Sequence, residues 1–310
     1  MSRSTISTFQ LTEMFPDAEA ARLYFEGRRW ANGVTCPICG STTNITPRKD
    51  GFYRCNNCKE DFTVRTGTIF ERSHVPLHKW IHAMYRLLTD RKGISSLQLG
   101  KEIGVTQKTA WFMLSRLREA CGNDKTLLGG GGGVVEIDET YIGGKEKNKH
   151  ASKKLNAGRG PVGKTPVVGM RERGGRTRAK PIKDVDSATL KAAVIASVRA
   201  GSILHTDEGS AYNGLDKTYE RASVNHSEGL YSKGGVTTNG VESVWAVMKR
   251  GVYGVYHHVS EKHLGRYVNE FTFRLNDGDV KRHTLDRLAS LTTACFGAHI
   301  TYQELTACES

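Results

Sequence analysis

Apolar and polar positions divide the chain into stretches with helical spacing and stretches that alternate as strands do. Apolar side chains at positions i, i+3, i+4 and i+7 predict amphipathic helices, and short alternating or apolar runs bounded by glycine predict strands. The predicted helices span 76–91, 95–103, 107–121, 187–199, 238–251 and 260–276, and the predicted strands span 134–144, 165–171, 177–185 and 203–207. Beyond residue 133 the order is therefore three strands, a helix, a fourth strand and two helices.

Three acidic residues lie at notable places in these predicted elements. Asp138 lies on the first strand, where charged and apolar positions alternate, so that one face would pack inward and the other would present acid near the strand's end. Asp207 ends the fourth strand, and Glu242 lies in the first turn of the next helix. Lys249 follows seven residues after Glu242, which returns it to nearly the same helix face. A single such acid is usually a surface residue, but three converging carboxylates could hold two Mg²⁺ or Mn²⁺ ions for phosphoryl transfer on nucleic acid.

The order of these three acids with Lys249 resembles the DDE-K arrangement of transposases. The phrases Ile-Asp-Glu-Thr-Tyr-Ile-Gly-Gly, Asn-Gly-Val-Glu-Ser-Val-Trp and Tyr-His-His, at 137–144, 239–245 and 256–258, are similar to the ISXO2-like branch of the IS1595 insertion-sequence family. The resemblance runs from residue 9 to residue 276. It implies an α/β catalytic domain with an RNase H-like fold, a mixed sheet flanked by helices, in which the acids of the first strand, the fourth strand and a later helix meet.

The resemblance also implies a function, a transposase that works as a homo-oligomer on DNA. Such an enzyme binds the ends of an insertion sequence, cuts them by metal-dependent hydrolysis and joins the 3′-OH to target DNA. Two alternatives stay open: a metal-dependent nuclease that does not join strands, and a non-catalytic DNA-binding regulator with a zinc ribbon and a helix-turn-helix.

The identity of the third acid has a competitor in Asn239. Asn239 and Glu242 have the spacing of a helix N-cap and its N3 partner, which would be a purely structural device. Family members vary at the third position, and Asn239 remains an alternative for it. Glu242 is preferred because a carboxylate binds Mg²⁺ better than an amide does, and because it lies on the Lys249 face.

Four of the seven cysteines form two close pairs with the spacing Cys-x₂-Cys-x₁₅-Cys-x₂-Cys, which is typical of a zinc ribbon. Four thiolates satisfy tetrahedral Zn²⁺ and leave no open position, so the predicted site is structural rather than catalytic. The predicted zinc ligands are Cys36, Cys39, Cys55 and Cys58.

Three regions are candidates for DNA contact, one of which is the basic end of the helix over 238–251. The helices over 95–103 and 107–121, joined by a turn that contains Gly104, predict a helix-turn-helix, although a plain three-helix core is the alternative. A lysine-rich loop after the first strand would either be a solvated excursion or neutralise DNA backbone beside the acids. The predicted DNA-binding residues are Thr106, Gln107, Lys108, Lys145, Lys147, Lys149, Lys153, Lys154, Lys249 and Arg250.

Composition supports DNA as the partner, and the sequence patterns divide the chain into domains. The 310 residues carry a net charge of +13, which favours a polyanion such as double-stranded DNA as partner. With no apolar run of about 18 residues and no signal-peptide core, we expect no membrane association and a reducing cytoplasmic location. The predicted domains are an N-terminal helix and zinc ribbon at 1–65, a helix-turn-helix at 66–127, a glycine linker at 128–133, the RNase H-like domain at 134–280 and an unassigned tail at 281–310.

Overall fold

The computed structural model describes residues 5–144, 150–155, 161–207, 209–215, 218–224 and 235–307. The chain divides into two compact units, the first of residues 1–123 and 277–310 and the second of residues 124–276. The described residues form α1 Thr8–Met14, α2 Ala18–Arg29, β1 Ile45–Pro47, β2 Tyr53–Cys55, β3 Glu60–Phe62, α3 Leu77–Thr89, α4 Ser96–Ile103, α5 Gln107–Cys121, β4 Val134–Ile142, β5 Thr165–Glu172, β6 Thr177–Pro181, α6 Ser187–Ile195, β7 Ile203–Asp207, β8 Glu220–Val224, α7 Asn239–Gly251, α8 Glu261–Leu275, α9 Thr284–Phe296 and α10 Tyr302–Thr306. None of the helices in these ranges has both the length and the apolar character that crossing a bilayer requires.

The ribbon of the first unit is a small antiparallel sheet with the order β1-β2-β3. Its buried centre consists of two cysteines and Phe62, and Trp30 and Tyr53 pack against it. The rings of Trp30 and Tyr53 meet edge to face with centroids 5.2 Å apart. This core is small for an independent module.

Helices α4 and α5 form the predicted helix-turn-helix. Helix α4 ends at Gly104, whose left-handed conformation (φ 64°) turns the chain toward α5. Gly100 permits the tight turn, because a methyl group there would lie 3.0 Å from the carbonyl oxygen of Val105. Thr106 then caps α5 by accepting a 3.2 Å hydrogen bond from the backbone N–H of Thr109.

The segment after Asn276, to which the sequence analysis assigned no structure, returns to the first unit as α9 and α10. Helix α9 packs against α2, α3 and α5. Its Arg287 is almost completely buried and donates a 3.0 Å hydrogen bond to the carbonyl oxygen of Leu88. The backbone N–H of Ile69 donates to the carbonyl oxygen of Cys295 at 3.3 Å. Residues 284–296 are therefore part of this unit's core rather than a tail.

The second unit is built on a five-stranded sheet with the order β6-β5-β4-β7-β8. Strands β4, β5 and β6 are antiparallel neighbours, whereas β7 runs parallel to both β4 and β8. This mixed sheet, with helices packed on it, confirms the RNase H-like fold class. The edge strand β8 was not predicted, because its sequence Glu-Arg-Ala-Ser-Val has neither an apolar run nor a clean alternation.

Both faces of this sheet are covered. One core includes Val135 and Ile137 of β4 and the apolar side of α6, and the other includes Trp245 of α7 and Phe271 of α8. The acids at positions 136 and 138 of β4 lie on the face opposite Val135 and Ile137, and this second face is covered as well. Glu136 on that other face is only 3% exposed, because α7 lies over it.

The glycine run differs from the predicted flexible linker, because it packs inside the second unit. Gly130 donates its backbone N–H to the hydroxyl oxygen of Ser202 at 2.9 Å. Gly129 has a φ of 71°, and a methyl group there would overlap the Ser202 side chain. Gly129 and Gly130 thus provide left-handed backbone and close approach just before β4, at the centre of the sheet, rather than a free joint.

Candidate active site

Asp138 and Asp207 lie on the two central parallel strands. The β4–β7 ladder ends at the pair Glu136–His205, and each aspartate follows two residues later on its own strand. Neighbouring strands are about 4.8 Å apart, and alternate residues share one face. The two aspartates therefore share the sheet face on which α7 packs.

Glu242 reaches this region from the first turn of α7. The hydroxyl of Thr238 donates a 3.0 Å hydrogen bond to Oε1 of Glu242. Thr238 is the N-cap residue of α7 and Asn239 is its first helical residue, so the interpretation of Asn239 as an N-cap was wrong. Further along α7, Lys249 is half-buried and Arg250 is exposed in the last turn.

Helix α7 receives its N-terminal cap from the sheet, since Thr238 makes no side-chain capping bond. Oε2 of the buried Glu136 accepts a 3.1 Å hydrogen bond from the backbone N–H of Val241, the third residue of α7. Gly240 makes this approach possible, because any side chain there would overlap the Glu136 carboxylate. A carboxylate at this end of a helix also interacts favourably with the helix dipole.

Glu136 joins a wider polar cluster through Arg173. The guanidinium of Arg173 lies 3.3 Å from Oε1 of Glu136 and 3.1 Å from Nδ1 of His205. The same Nδ1 accepts from the backbone N–H of Thr237 at 3.3 Å, so this ring is neutral and Nδ1 carries no proton. Burial and the charge of Arg173 lower the pKa of His205, in agreement with that state.

Asp138 is held directly by Trp245. The indole Nε1–H of Trp245 donates a 2.8 Å hydrogen bond to Oδ2 of Asp138. Gly169, which pairs with Asp138 on β5, carries no side chain that would obstruct the indole ring. The indole therefore lies over the strand pair at the position of the acid.

The electrostatics indicate that the acids lie close together. Burial raises the pKa of Asp138, and the negative charges of Asp207 and Glu242 raise it further, while hydrogen bonds from Trp245 and the backbone N–H of Glu139 lower it. Burial, with the charges of Asp138 and Asp207, also raises the pKa of Glu139 to about 7 against a hydrogen bond from the Tyr212 hydroxyl. A divalent cation would relieve this concentration of negative charge.

The three acids are not close enough together to share a single cation in this conformation. Within the ranges that the structure describes, only the four cysteines form a group of three or more candidate ligands close enough to share one ion. Asp138, Asp207 and Glu242 instead bond to protein donors, Asp207 by accepting from the backbone N–H of Gly209 at 3.0 Å. Their chemistry suits Mg²⁺ or Mn²⁺, which prefer carboxylate oxygens.

The predicted zinc ligands come together in the first unit. Their four sulfur atoms all lie within 4.8 Å of one another. The Sγ atoms of Cys36 and Cys58 are 3.7 Å apart, and those of Cys39 and Cys55 are 3.6 Å apart. Tetrahedral Zn–S bonds of about 2.3 Å require sulfur separations of about 3.8 Å, so the cluster fits Zn²⁺.

The predicted DNA-binding residues fall into three groups, one of which is Lys249 and Arg250 in the last turn of α7. Thr106, Gln107 and Lys108 are exposed at the N-terminus of α5, where the Gln107 amide donates to the hydroxyl of Ser96 at 2.9 Å. The Lys108 ammonium lies 5.2 Å from the ring centroid of Tyr302. In the lysine-rich loop, Lys153 belongs to the 3₁₀ turn Ala151–Lys153, Lys154 is half-buried, and the residues outside the described ranges are Lys145, Lys147 and Lys149.

Sequence reasoning missed four side chains that organise this region. Glu136 could have been found, because it lies two residues before Asp138 and hence on the same face. Trp245 was noted as the last residue of the family phrase at 239–245, and nothing local predicts the bond from its N–H. Arg173 likewise gains its role from a contact with a separate element, whereas Thr238 contacts Glu242 only four residues further along the chain.

Two family models match the chain. The ISXO2-like transposase domain matches residues 130–276, and the IS1595 transposase zinc-ribbon domain matches residues 16–61. A relative from Halobacterium salinarum, described as an uncharacterized protein in transposable element ISH50, is 32% identical over 263 residues, a match that covers 79% of this chain and 86% of the relative.

More distant similarity extends to two solved structures. A pre-cleavage Mos1 transpososome is 13% identical, with a TM-score of 0.29 over 71% of this chain and 80% of that one. The Mos1 strand transfer complex is 14% identical, with a TM-score of 0.30 over 71% and 79%. At these TM-scores no conclusion follows from the likeness, and the fold class rests on the strand order of this sheet.

Proposed function

Because the chain belongs to the IS1595 family of transposases, we propose that it binds the ends of an insertion sequence, cuts DNA there by metal-dependent hydrolysis and joins the 3′-OH to target DNA. The observation that supports this most strongly is the β4–β7 register, because Asp138 and Asp207 each follow two residues after the pair Glu136–His205, on the sheet face that the helix bearing Glu242 covers. Three acids on one sheet face and its covering helix are what phosphoryl transfer with two divalent cations needs.

In this proposal Asp138, Asp207 and Glu242 hold two Mg²⁺ or Mn²⁺ ions. When bound, the ions supply a hydroxide nucleophile and stabilise the leaving oxygen. Lys249 and Arg250, in the last turn of the same helix, attract the phosphate beside the cut. Asn239 remains the alternative third ligand, since it is exposed in the same turn as Glu242.

Recognition of the element ends is assigned to the first unit. Thr106, Gln107 and Lys108 lie at the exposed start of α5, the part of a helix-turn-helix that meets base edges and phosphates. Lys154 and the lysines of the adjacent loop, Lys145, Lys147, Lys149 and Lys153, would neutralise backbone near the acids. An insertion sequence has two ends, so we propose that copies of this chain act together as a homo-oligomer on DNA.

The decisive experiment replaces Asp138 with Asn in the zinc-loaded full chain. Asp138→Asn keeps the shape of the side chain but removes the charge that binds a cation. We expect cutting of a labelled element end and joining of a pre-cut end to fall below detection, with end binding in a gel-shift assay unchanged. Asp184→Asn, at an exposed position of the same unit, serves as the control. Unchanged cutting by Asp138→Asn would reject the assignment.

The same assay separates the proposal from its two rivals. A nuclease without strand transfer would cut the ends in Mg²⁺ but leave pre-cut ends unjoined. A DNA-binding regulator would bind the ends and do neither. Joining of a pre-cut 3′-OH to target DNA is therefore the result that the proposal requires.

A further inference from the structure

The hydrogen bond from Trp245 to Asp138 is unusual in its donor. Trp245 is 5% exposed and packs in the core between α7, α8 and the sheet, and its one polar atom is directed at Oδ2 of Asp138 at 2.8 Å. An indole N–H donates and never accepts, so at this position it requires an acceptor, and the acceptor is the Asp138 carboxylate. Phe or Leu at position 245 would also fill the core, but neither side chain has an N–H that could donate to Asp138.

Gly169 provides a second observation that points to the same bond. It lies within β5 and pairs with Asp138, and a methyl group there would overlap the indole ring. Glycine inside a strand weakens the strand and often marks a place where another group approaches closely. The φ of Gly169 is not positive, so what the glycine provides here is space for Trp245.

The neutral charge of the donor matters at this position. The carboxylates of Asp207 and Glu242 repel that of Asp138, so its orientation depends on a hydrogen-bond donor. A lysine or arginine there would compensate the charge and compete with a cation. The indole orients the carboxylate without adding positive charge. A carboxylate accepts about four hydrogen bonds, so the indole and the backbone N–H of Glu139 leave room for metal ligation.

We propose that Trp245 is a positioning residue of the site, whose indole N–H fixes the carboxylate of Asp138 in the orientation that binds the divalent cation. The inference rests on the proposed function, because it assigns Asp138 to cation binding. Trp245 acts through Asp138 and does not itself touch a metal or DNA. Partners that orient a metal ligand typically change metal affinity about 10-fold to 100-fold when they are removed.

The test measures Mn²⁺ binding to the zinc-loaded full chain without DNA, by water-proton relaxation. Trp245→Phe keeps a buried ring and removes the N–H, and we expect its Kd for Mn²⁺ to rise about 10-fold. Met248→Leu, in the same buried cluster of α7, conserves volume and should leave the Kd unchanged. In cutting assays Trp245→Phe should need about 10-fold more Mg²⁺ for half-maximal activity, with end binding unaltered.

A second replacement covers the case in which Trp245→Phe does not fold. 3-Benzothienylalanine at position 245 keeps the size and shape of the indole but has sulfur in place of the N–H. Weaker Mn²⁺ binding by this protein at unchanged thermal stability supports the proposal. Binding within twofold of the unmodified chain would overturn it.

Asp138→Asn distinguishes failure of this inference from failure of the proposed function. If Asp138→Asn loses Mn²⁺ binding while the benzothienyl protein keeps it, the inference alone is overturned. If Asp138→Asn binds Mn²⁺ as the unmodified chain does, Asp138 is not a ligand, and the proposed site and this inference fall together.

Discussion

At the scale of single residues, Glu136 links the strand that carries Asp138 to the helix that carries Glu242. Replacing Glu136 with Ala would leave the N–H of Val241 without its acceptor and would remove one of the acceptors of the Arg173 guanidinium. An unsatisfied buried donor costs about 1–3 kcal/mol, and we expect the second unit to lose about that much stability. Urea unfolding measures the loss. Glu242 lies in the first turn of α7, so loss of the cap would also displace Glu242. We therefore expect cutting of the element ends to fall as well.

Two further variants make the Glu136 prediction specific. Glu136→Gln keeps an oxygen that can accept from Val241 and should lose less stability than Glu136→Ala. Glu220→Ala removes an exposed carboxylate from β8 in the same unit and should change stability by less than about 0.5 kcal/mol. Equal stabilities of Glu136→Ala and Glu220→Ala would contradict the capping role.

Asp124 supplies a pH-dependent part of the stability of the second unit. Burial raises the pKa of Asp124, but hydrogen bonds from the backbone N–H of Thr126 and from Arg176 outweigh it and lower the pKa below its usual value. The pKa of Asp124 is therefore lower in the folded chain than in the unfolded chain, where it is about 3.9. The stability that Asp124 contributes is fully present above the unfolded pKa and is lost as the pH falls through the folded pKa. Asp124→Asn should therefore be less stable at pH 7 by about 1 kcal/mol, since solvent screens this partly exposed pair.

The measurement for Asp124 is urea unfolding of both proteins from pH 7 to pH 3. The difference between them should be constant down to about pH 5 and shrink toward zero below the folded pKa. Asp184→Asn, which changes an exposed carboxyl, should follow the unmodified chain throughout. A stability difference that grows in acid would refute the assignment.

Alternation and helical spacing are enough to locate the acidic residues in the sequence, because each occupies a readable place on a strand or in a first helical turn. The hydrogen-bond partners of those acids cannot be predicted from such local patterns. The bond from Trp245 to Asp138 depends on α7 crossing β4 and β5, and the cap from Glu136 depends on Gly240 admitting it. Such contacts join residues about a hundred positions apart.

At the scale of elements, the zinc ribbon should depend on its metal for folding. Cys55 is fully buried, and its sulfur lies 3.6 Å from that of Cys39. In small zinc domains the binding energy of the metal is largely the folding energy. Cys55→Ser, or removal of zinc with a chelator, should unfold β1, β2 and β3 while β4 and β5 stay folded. Hydrogen exchange of these strands measures this, together with the zinc content.

Cys121→Ala provides the matched control for the ribbon. Cys121 is buried in the first unit but lies outside the ribbon, at the end of α5. Its replacement should leave the zinc content at one ion per chain. If the ribbon amides of Cys55→Ser remain as protected as those of the unmodified chain, the metal is not what holds this sheet.

Elements with strong periodicity were predicted closely, and those whose ends depend on tertiary contacts were not. Helix α5 and strand β7 have the predicted bounds. The helix predicted over 187–199 ends at Ile195, because Val198 leaves it to pair with Leu128. The strand predicted over 177–185 ends at Pro181. Strand β8 was not predicted, because an edge strand needs no apolar face.

At the scale of the whole molecule, the chain leaves the first unit at Asn123 and re-enters it at Asp277. No local pattern predicts this return, because its contacts, such as that between Ile69 and Cys295, span more than half the sequence. Helical spacing of Leu288, Leu291 and Cys295 could have predicted α9 itself. It could not have shown that α9 completes the core of the unit that holds the helix-turn-helix.

Because residues 277–310 belong to the first unit, we predict that a chain ending at Asn276 has a destabilised first unit and a folded second unit. Without α9, the helices α2, α3 and α5 lose the partner on which they pack, and the carbonyl of Leu88 loses its donor. We expect fast hydrogen exchange in α3 and α5, unchanged protection in β4 and β5, and loss of binding to element ends. Truncation after Thr301, which removes only α10, should keep α3 and α5 protected, because Arg287 and Leu291 remain. Equal protection of α3 in the two truncated chains would mean that α9 is dispensable, and the unit would then have to be stable on its N-terminal residues alone.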